Sequence, residues 1–184
     1  AVGWSNVGRS FDGIIVTVEA RDSEFDFFAL KETETFNDGD SLDLQILGIY
    51  LNFNMVPHYK IQPFFIAQVK FPIDALSRYT TGIYITGSHG GFFHETEFAY
   101  QDGKVTPDSV QKDISAMMAA LNIGYKINAK VNLVISAGVD YLSGDDGSAR
   151  SKTKVFNTLY ATNHKYYGFM DYFINIPANT LGLG

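Results

Sequence analysis

The sequence contains no cysteine, so neither disulfides nor thiolate metal sites are possible. Charged residues are also scarce: they make up 18% of the 184 residues, against about 25% in typical soluble domains. The formal net charge of -6 argues against nucleic acid as a partner, because phosphate binding needs a basic surface. Aromatic residues, by contrast, reach 15%. This combination fits one domain with a large apolar exterior, although a tightly packed soluble β-protein would share it.

Long hydrophobic runs are missing as well. No apolar stretch approaches the roughly 20 residues of a membrane-spanning helix, and the longest uncharged run that could be helical extends only from Ile114 to Tyr125. A helical membrane protein is therefore excluded, whereas a membrane β-barrel is not, since its strands are about 10 residues long and only half apolar. The chain opens Ala1-Val-Gly-Trp-Ser without the features of a signal peptide, so we expect a mature chain or a fragment.

What the sequence does contain is alternation of apolar and polar residues, the pattern of half-buried strands. It predicts eight strands, at residues 11–20, 24–32, 42–54, 59–70, 78–88, 92–101, 110–127 and 131–142. The fourth is the clearest, with Tyr59 and Ile61 on one face and Lys60 and Gln62 on the other. Pro63 is an obstacle inside it, because proline normally confines a strand to the edge of a sheet unless a bulge lies there.

Residues 110–127 carry two conflicting patterns. Thr106-Pro107-Asp108 has the form of a helix N-cap with proline at the first helical position. Residues at helical spacing follow it, namely Val110, Ile114, Met117, Met118 and Leu121. The end of the segment instead alternates, with Leu121, Ile123 and Tyr125 opposite Asn122, Gly124 and Lys126. From the residues alone, helix and strand both stay open.

The predicted connections alternate between short and long along the chain. Outer-membrane barrels show this alternation because their periplasmic turns are short and their extracellular loops are long. A soluble β-sandwich has no physical reason to sort its loops in this way. The pattern therefore favours a barrel in a membrane.

The longest connection, residues 143–175, has neither helical nor strand periodicity and is rich in Tyr and Phe. A loop of this length is usually functional or disordered, and disordered segments are poor in aromatic residues. We therefore predict an ordered loop that is either extracellular or folded into a pore.

Two motifs in this region carry a family resemblance. Tyr141-x-Ser143-Gly144-Asp145 ends the last predicted strand, and His164-Lys165-Tyr166-x-Gly168-x-x-Asp171 follows within the aromatic loop. Together they resemble the alginate-export family of bacterial outer-membrane porins, and the likeness extends over nearly the whole chain.

The resemblance implies an all-β fold, an antiparallel up-and-down transmembrane β-barrel in the bacterial outer membrane, with a strand at residues 110–127. We expect residues 1–184 to form a single barrel domain, or part of one. The loop lengths place residues 1–10 and the loop after Leu142 on the extracellular side, whereas complete barrels of this type begin and end on the periplasmic side. The roughly eight strands predicted here would therefore belong to a larger barrel. The stretch from Thr180 to Gly184 looks like the start of a further strand.

In such a barrel the polar face of each strand lines the lumen. The predicted lining residues are Glu19, Asp26, Asp43, Gln45, Lys60, Gln62, Gln68, Lys70, Arg78, Glu95, Glu97, Lys126 and Asp140. The long loop would add Asp145, Asp146, Arg150, Lys152, Lys154, His164 and Lys165. Some members of the family export alginate, an acidic polysaccharide, through a pore lined with basic residues. Because the lining here has both signs, we expect passage of small polar or sugar-like solutes and doubt selectivity for polyuronates.

No catalytic residue, metal site or cofactor is predicted. The histidines at positions 58, 89, 94 and 164 lack the spacing of metal ligands. Glu95 and Glu97 could form a glycosidase pair, but neighbours on one strand face are more often solvated lumen charges. The acidic residues of the loops do not match the spacing of an EF-hand, so solvated loops are favoured over Ca²⁺ sites.

Two other functions stay open. One is a soluble β-sandwich that binds carbohydrate, and the other is a structural barrel that sheathes a partner such as a cytochrome or a secretion component. The partners we expect are the lipid bilayer and a small polar solute or saccharide, with other subunits of an outer-membrane assembly as a further option. Nucleic acid is not expected.

Overall fold

The computed structural model describes residues 10–33, 44–70, 75–127, 132–145, 151–159 and 180–183. Most of these residues lie in strands, which are β1 (Ser10–Ala20), β2 (Ser23–Thr33), β3 (Leu44–Phe53), β4 (Tyr59–Lys70), β5 (Leu76–His89), β6 (Phe92–Val105), β7 (Lys112–Ile127), β8 (Leu133–Leu142), β9 (Lys152–Thr153) and β10 (Thr180–Leu183). A 3-10 turn, Pro107–Ser109, precedes β7. Within the described ranges, no helix has the length and hydropathy needed to cross a membrane.

The strands form one sheet in chain order. Each of β1 to β8 pairs antiparallel with the next, and β10 pairs antiparallel with β8, whereas the short β9 pairs parallel with β7. The predicted all-β, up-and-down fold is therefore confirmed, with β10 as a ninth strand in the series. The sheet is not closed among the described strands, so it corresponds to part of a barrel wall. Because these strands form one continuous sheet, they give no support to a β-sandwich.

The two ends of the sheet differ in their connections. At one end, called here the turn end, the strands are joined by residues 21–22, 54–58, 90–91 and 128–132. At the other, the loop end, they are joined by residues 34–43, 71–75, 106–111 and 143–179. Gly90 and Gly91 both have positive φ, 58° and 88°, which is the backbone of a type I′ hairpin. The two longest connections, residues 34–43 and 143–179, both lie at the loop end, whereas 71–75 is as short as 54–58 and 128–132 because β5 already begins at Leu76.

The pairing register sorts the side chains onto two faces. One, the apolar face, carries large hydrophobic residues in every long strand, and many are exposed: Ile14 by 70% and Ile135 by 58%. It includes Ile14, Val16, Val18, Phe27, Leu47, Ile49, Phe65, Ile83, Phe98, Leu121, Ile123 and Ile135. At the loop end this face is bounded by a row of polar and charged partners, among them Asp12, Lys31, Gln45, Lys104, Asp113 and Lys152.

The opposite face, called here the mixed face, carries both polar and apolar side chains. It includes Thr17, Glu19, Asp26, Phe28, Tyr50, Asn52, Gln62, Phe64, Arg78, Tyr84, Glu97, Gln101, Ala116, Asn122, Lys126 and Asp140. The buried residues gather here, among them Ile46, Gln68, Thr80, Ala99, Gln101 and Ala116.

Pro63 lies in a central strand, not at an edge. On one side it is the direct partner of Ile83 in β5. On the other, the ladder to β3 lapses between the pairs Tyr50–Phe64 and Phe53–Ile61, where proline has no N–H to donate. Since the register is the same on both sides of this gap, the strand accommodates proline without a bulge.

The contested segment is a strand, β7, and only Pro107–Ser109 takes a helical turn. The backbone N–H of Val110 donates to the Pro107 carbonyl oxygen at 2.9 Å and closes that turn. Beyond it, β6 and β8 supply ladder partners on both sides, which satisfies the backbone of an extended chain. Tertiary pairing therefore overrides the helical spacing of the apolar residues.

Candidate functional site

The structure brings most of the predicted lining residues onto the mixed face. These are Glu19, Asp26, Lys60, Gln62, Gln68, Lys70, Arg78, Glu95, Glu97, Lys126 and Asp140. Gln45 instead points to the apolar face, because Ile46 is buried on the mixed face and Leu47 and Ile49 fill the opposite one. Asp43 lies outside the described residues.

Charge is not spread evenly over the mixed face. Basic side chains lie near both ends: Lys70, Arg78 and Lys112 near the loop end, and Lys60 and Lys126 near the turn end. Acidic side chains share one row across the sheet, which carries Glu19 and Glu24 beside the β1–β2 turn and Glu97 and Asp140 within β6 and β8. Hydrogen bonds hold part of this polar surface in place: Arg78 Nη1 donates to Gln68 Oε1 at 2.9 Å, and Thr17 Oγ1 donates to Asp26 Oδ1 at 2.6 Å.

Aromatic rings lean over glycines on the mixed face. Three directly paired positions show this arrangement, Phe28–Gly48, Phe64–Gly82 and Phe93–Gly124. A Cβ on these glycines would lie 2.1, 2.3 and 2.3 Å from the Cζ atom of the facing ring. The rings therefore occupy the space of the missing side chains, and they remain along the wall. Sequence reasoning missed these pairs, which become visible only when a Phe is aligned with a Gly across the strands.

Residues 151–159, called here the strap, start within the sheet at the loop end and then cross onto the mixed face. The strap begins with β9, which pairs with Asp113 and Ile114 of β7. It then brings Phe156 into a buried cluster with Ala99 and Ala116. Phe64, Met118 and Leu142 are packed around this cluster. Phe156 is 8% exposed, so the ring is anchored in the sheet surface.

Gln101 holds the far part of the strap. Its side chain is fully buried. Its Nε2 donates to the Asn157 carbonyl oxygen at 2.8 Å and to Thr80 Oγ1 at 3.2 Å, while its Oε1 accepts from the Asn157 N–H at 2.9 Å. The side-chain amide thus pairs with the strap backbone as a neighbouring strand would.

Ser143 and Asp145 hold the near part of the strap. The Ser143 hydroxyl accepts from the Met117 N–H at 2.8 Å and donates to the Lys154 carbonyl oxygen at 2.6 Å. The Asp145 carboxylate accepts from the Lys154 N–H at 2.6 Å and from Thr153 Oγ1 at 3.0 Å. Two polar positions of the Tyr-x-Ser-Gly-Asp motif therefore fasten the strap to the strand it follows.

The remaining residues predicted for the loop divide into two groups. Lys152 and Lys154 lie in the strap with exposed side chains. Asp146, Arg150, His164 and Lys165 lie outside the described residues.

In the described part of the chain, no side chains come together in the arrangement of a catalytic or metal site. No group of three or more His, Asp or Glu side chains there comes together as a metal site would require. His58 and His89 form a ring pair at the turn end, 5.3 Å between centroids. Glu95 and Glu97 occupy successive mixed-face positions of β6.

Comparison with known families settles the relationship. The family model described as alginate export matches residues 1–183, almost the entire sequence. The chain belongs to the alginate export family. This is a family of outer-membrane transport proteins and porins, not an enzyme family. Searches of the curated proteins and of the solved structures gave no significant match. Membership therefore comes from the family model, and the all-strand structure agrees with it.

Proposed function

We propose that this alginate export family chain forms part of the wall of an outer-membrane channel for small polar or sugar-like solutes. In this arrangement the apolar face contacts lipid and the mixed face lines the solute path. The turn end lies on the periplasmic side and the loop end outside, as the lengths of the connections favour.

The separation of the two faces is the observation that carries this proposal. In water, exposed side chains such as Ile14, Val16 and Leu47 on one continuous surface would promote aggregation. In a bilayer the same surface is solvated by acyl chains, while charged residues such as Glu97 and Asp140 are kept on the other side.

The strap adds a second element to the proposal. Because it is fastened to the mixed face, it would occupy part of the solute path near the extracellular mouth. Lys152 pairs with Asp113 in the row that bounds the apolar face. Lys154 lines a cavity with Tyr100 and Met117 of that face. Both lysines would therefore be basic groups at the rim of the opening. The strap narrows the channel in this account.

Single-channel recording in planar bilayers tests the proposal. We expect the native protein to conduct and deletion of residues 151–159 to raise the conductance, because the strap no longer fills the path. Gln101→Leu, which removes the hydrogen bonds to Asn157, should produce a smaller increase with larger current fluctuations. Tyr100→Phe is the matched control, since it removes only an exposed hydroxyl contact to Ser115 in the adjacent position.

Two results would contradict different parts of the account. Equal conductance in all four proteins would mean that the strap is a packing element outside the path. A folded, membrane-inserted native protein that does not conduct would contradict the channel and support a barrel that sheathes a partner.

A further inference from the structure

Tyr50 of β3 and Phe64 of β4 form an aromatic surface on the mixed face. They are direct partners, their rings are parallel within 7°, and the ring centroids lie 5.8 Å apart. Both side chains are half-buried, so part of each ring remains accessible. The Phe64 ring also lies over Gly82 of β5, which has no side chain that could cover the ring. Part of each ring is therefore accessible, next to the apolar cluster of Ala99, Ala116 and Phe156 against which Phe64 packs.

Groups that form hydrogen bonds lie directly beside these rings. One row closer to the turn end, Gln62, Tyr84 and Glu97 are successive direct partners across β4, β5 and β6. A step of two residues along a strand is about 6.6 Å, so this row is within reach of a ligand that rests on the rings. The row supplies the half-buried phenol of Tyr84 and carboxylate of Glu97, together with the amide of Gln62, which is 9% exposed.

The charge around the aromatic pair is predominantly acidic. Asp26 is the direct partner of Tyr50, and Glu24 lies one row away on the same strand. Together with Glu97, these carboxylates would disfavour an anionic ligand by like-charge repulsion. They would accept hydrogen bonds from hydroxyl or ammonium groups.

We propose that Tyr50 and Phe64, with Gln62, Tyr84 and Glu97, form a binding subsite for a neutral or cationic saccharide chain. The inference rests on the proposed channel function. A pyranose ring has an apolar C–H face that packs on aromatic rings and a rim of hydroxyls that pairs with amide and carboxylate groups. The subsite therefore selects against polyuronates, whose carboxylates would meet Asp26, Glu24 and Glu97.

The test is block of the ion current through the native protein in planar bilayers. A neutral glucose hexamer should block in a concentration-dependent way, and a mannuronate hexamer should block at least about tenfold more weakly. Tyr50→Leu should weaken block by the neutral hexamer about tenfold, which corresponds to about 1.4 kcal/mol. Tyr50→Phe should retain it. Phe93→Leu, a ring that leans over Gly124 elsewhere on the same face, should leave block unchanged.

Charge provides a second arm of the experiment. Glu97→Gln should bring block by the mannuronate hexamer closer to that of the neutral one. Stronger block by mannuronate in the native protein, no block by the neutral hexamer in a conducting channel, or no effect of Tyr50→Leu would each overturn the subsite while leaving the channel intact.

A native protein that does not conduct would overturn the channel, and calorimetry then decides the subsite separately. Titration of the detergent-refolded protein with the glucose hexamer should give a binding heat that Tyr50→Leu abolishes. Absence of that heat in the native protein would refute the subsite.

Discussion

At the scale of single residues, the mixed face depends on where side chains are missing. Glycines opposite Phe28, Phe64 and Phe93 let these rings lie along the wall and keep them from projecting away from it. A bulky residue at such a glycine would push the ring outward or force the strands apart. In a channel, a ring pushed outward would also narrow the solute path.

Gly82→Ala tests this packing. The new Cβ would lie 2.3 Å from Phe64 Cζ and 2.8 Å from the Phe98 carbonyl oxygen, so both the ring and the strand backbone must shift. We expect a loss of about 1–3 kcal/mol in unfolding free energy, the usual cost of overpacking. Urea unfolding of the protein in lipid vesicles measures it.

Gly138→Ala is the matched control for that substitution. It lies on the same face in β8, and its nearest neighbour, the Leu121 carbonyl oxygen, is 3.4 Å from the new Cβ. The expected change is within about 0.5 kcal/mol. Equal costs at both glycines would show that the aromatic rings do not depend on the glycines beneath them.

At the scale of elements, each strand presents different chemistry to its two sides, and β1 shows this most simply. Val16 and Ile15 are consecutive, both exposed, by 52% and 62%, and point to opposite faces. Val16 lies midway along the apolar stretch of β1, between Ile14 and Val18. The same substitution made at Ile15 and at Val16 therefore probes the two faces separately.

Arginine at these two positions should have unequal effects. Val16→Arg should cost about 2–4 kcal/mol of barrel stability, because the charge would enter the middle of the bilayer. Ile15→Arg should stay within about 0.5 kcal/mol, because the guanidinium would remain in water. Unfolding titrations in vesicles compare the two, and equal losses would contradict the assignment of faces.

Much of this element-level picture could be predicted from alternation alone. The fourth predicted strand coincides with Tyr59–Lys70, whereas the strand at residues 110–127, present as β7, was expected from the family resemblance and not from alternation. Gln45 lies on the face opposite to the other described lining residues, which alternation did not reveal because β3 is apolar on both sides and its orientation comes from its neighbours β2 and β4. The Phe–Gly pairs and the strap contacts escaped prediction because both depend on which residues meet across strands, which alternation does not specify.

The motif that precedes the strap could be recognised from the sequence, but its structural role could not. Tyr141-x-Ser143-Gly144-Asp145 identified the family from sequence, but it did not indicate what the residues do. In the structure, Ser143 and Asp145 bind the backbone of residues that follow them by about ten positions. The motif therefore has a structural role that explains why a hydroxyl and a carboxylate are needed together.

At the scale of the whole molecule, one sheet separates an apolar surface from a polar one. The family assignment and the strand order agree with a barrel wall, and the strap lies on the side that carries the charges. We propose that this side is the aqueous path of a channel.

The absence of cysteine makes a direct test of that claim possible, because a single introduced thiol reports its own surroundings. Leu121 and Asn122 are neighbours in β7 on the apolar and the mixed face respectively. A charged, membrane-impermeant methanethiosulfonate reagent is added while current through Leu121→Cys or Asn122→Cys is recorded in planar bilayers. We expect modification to change the current through Asn122→Cys and to leave Leu121→Cys unaffected, since lipid would shield that thiol. A current change at Leu121→Cys with none at Asn122→Cys would contradict the account.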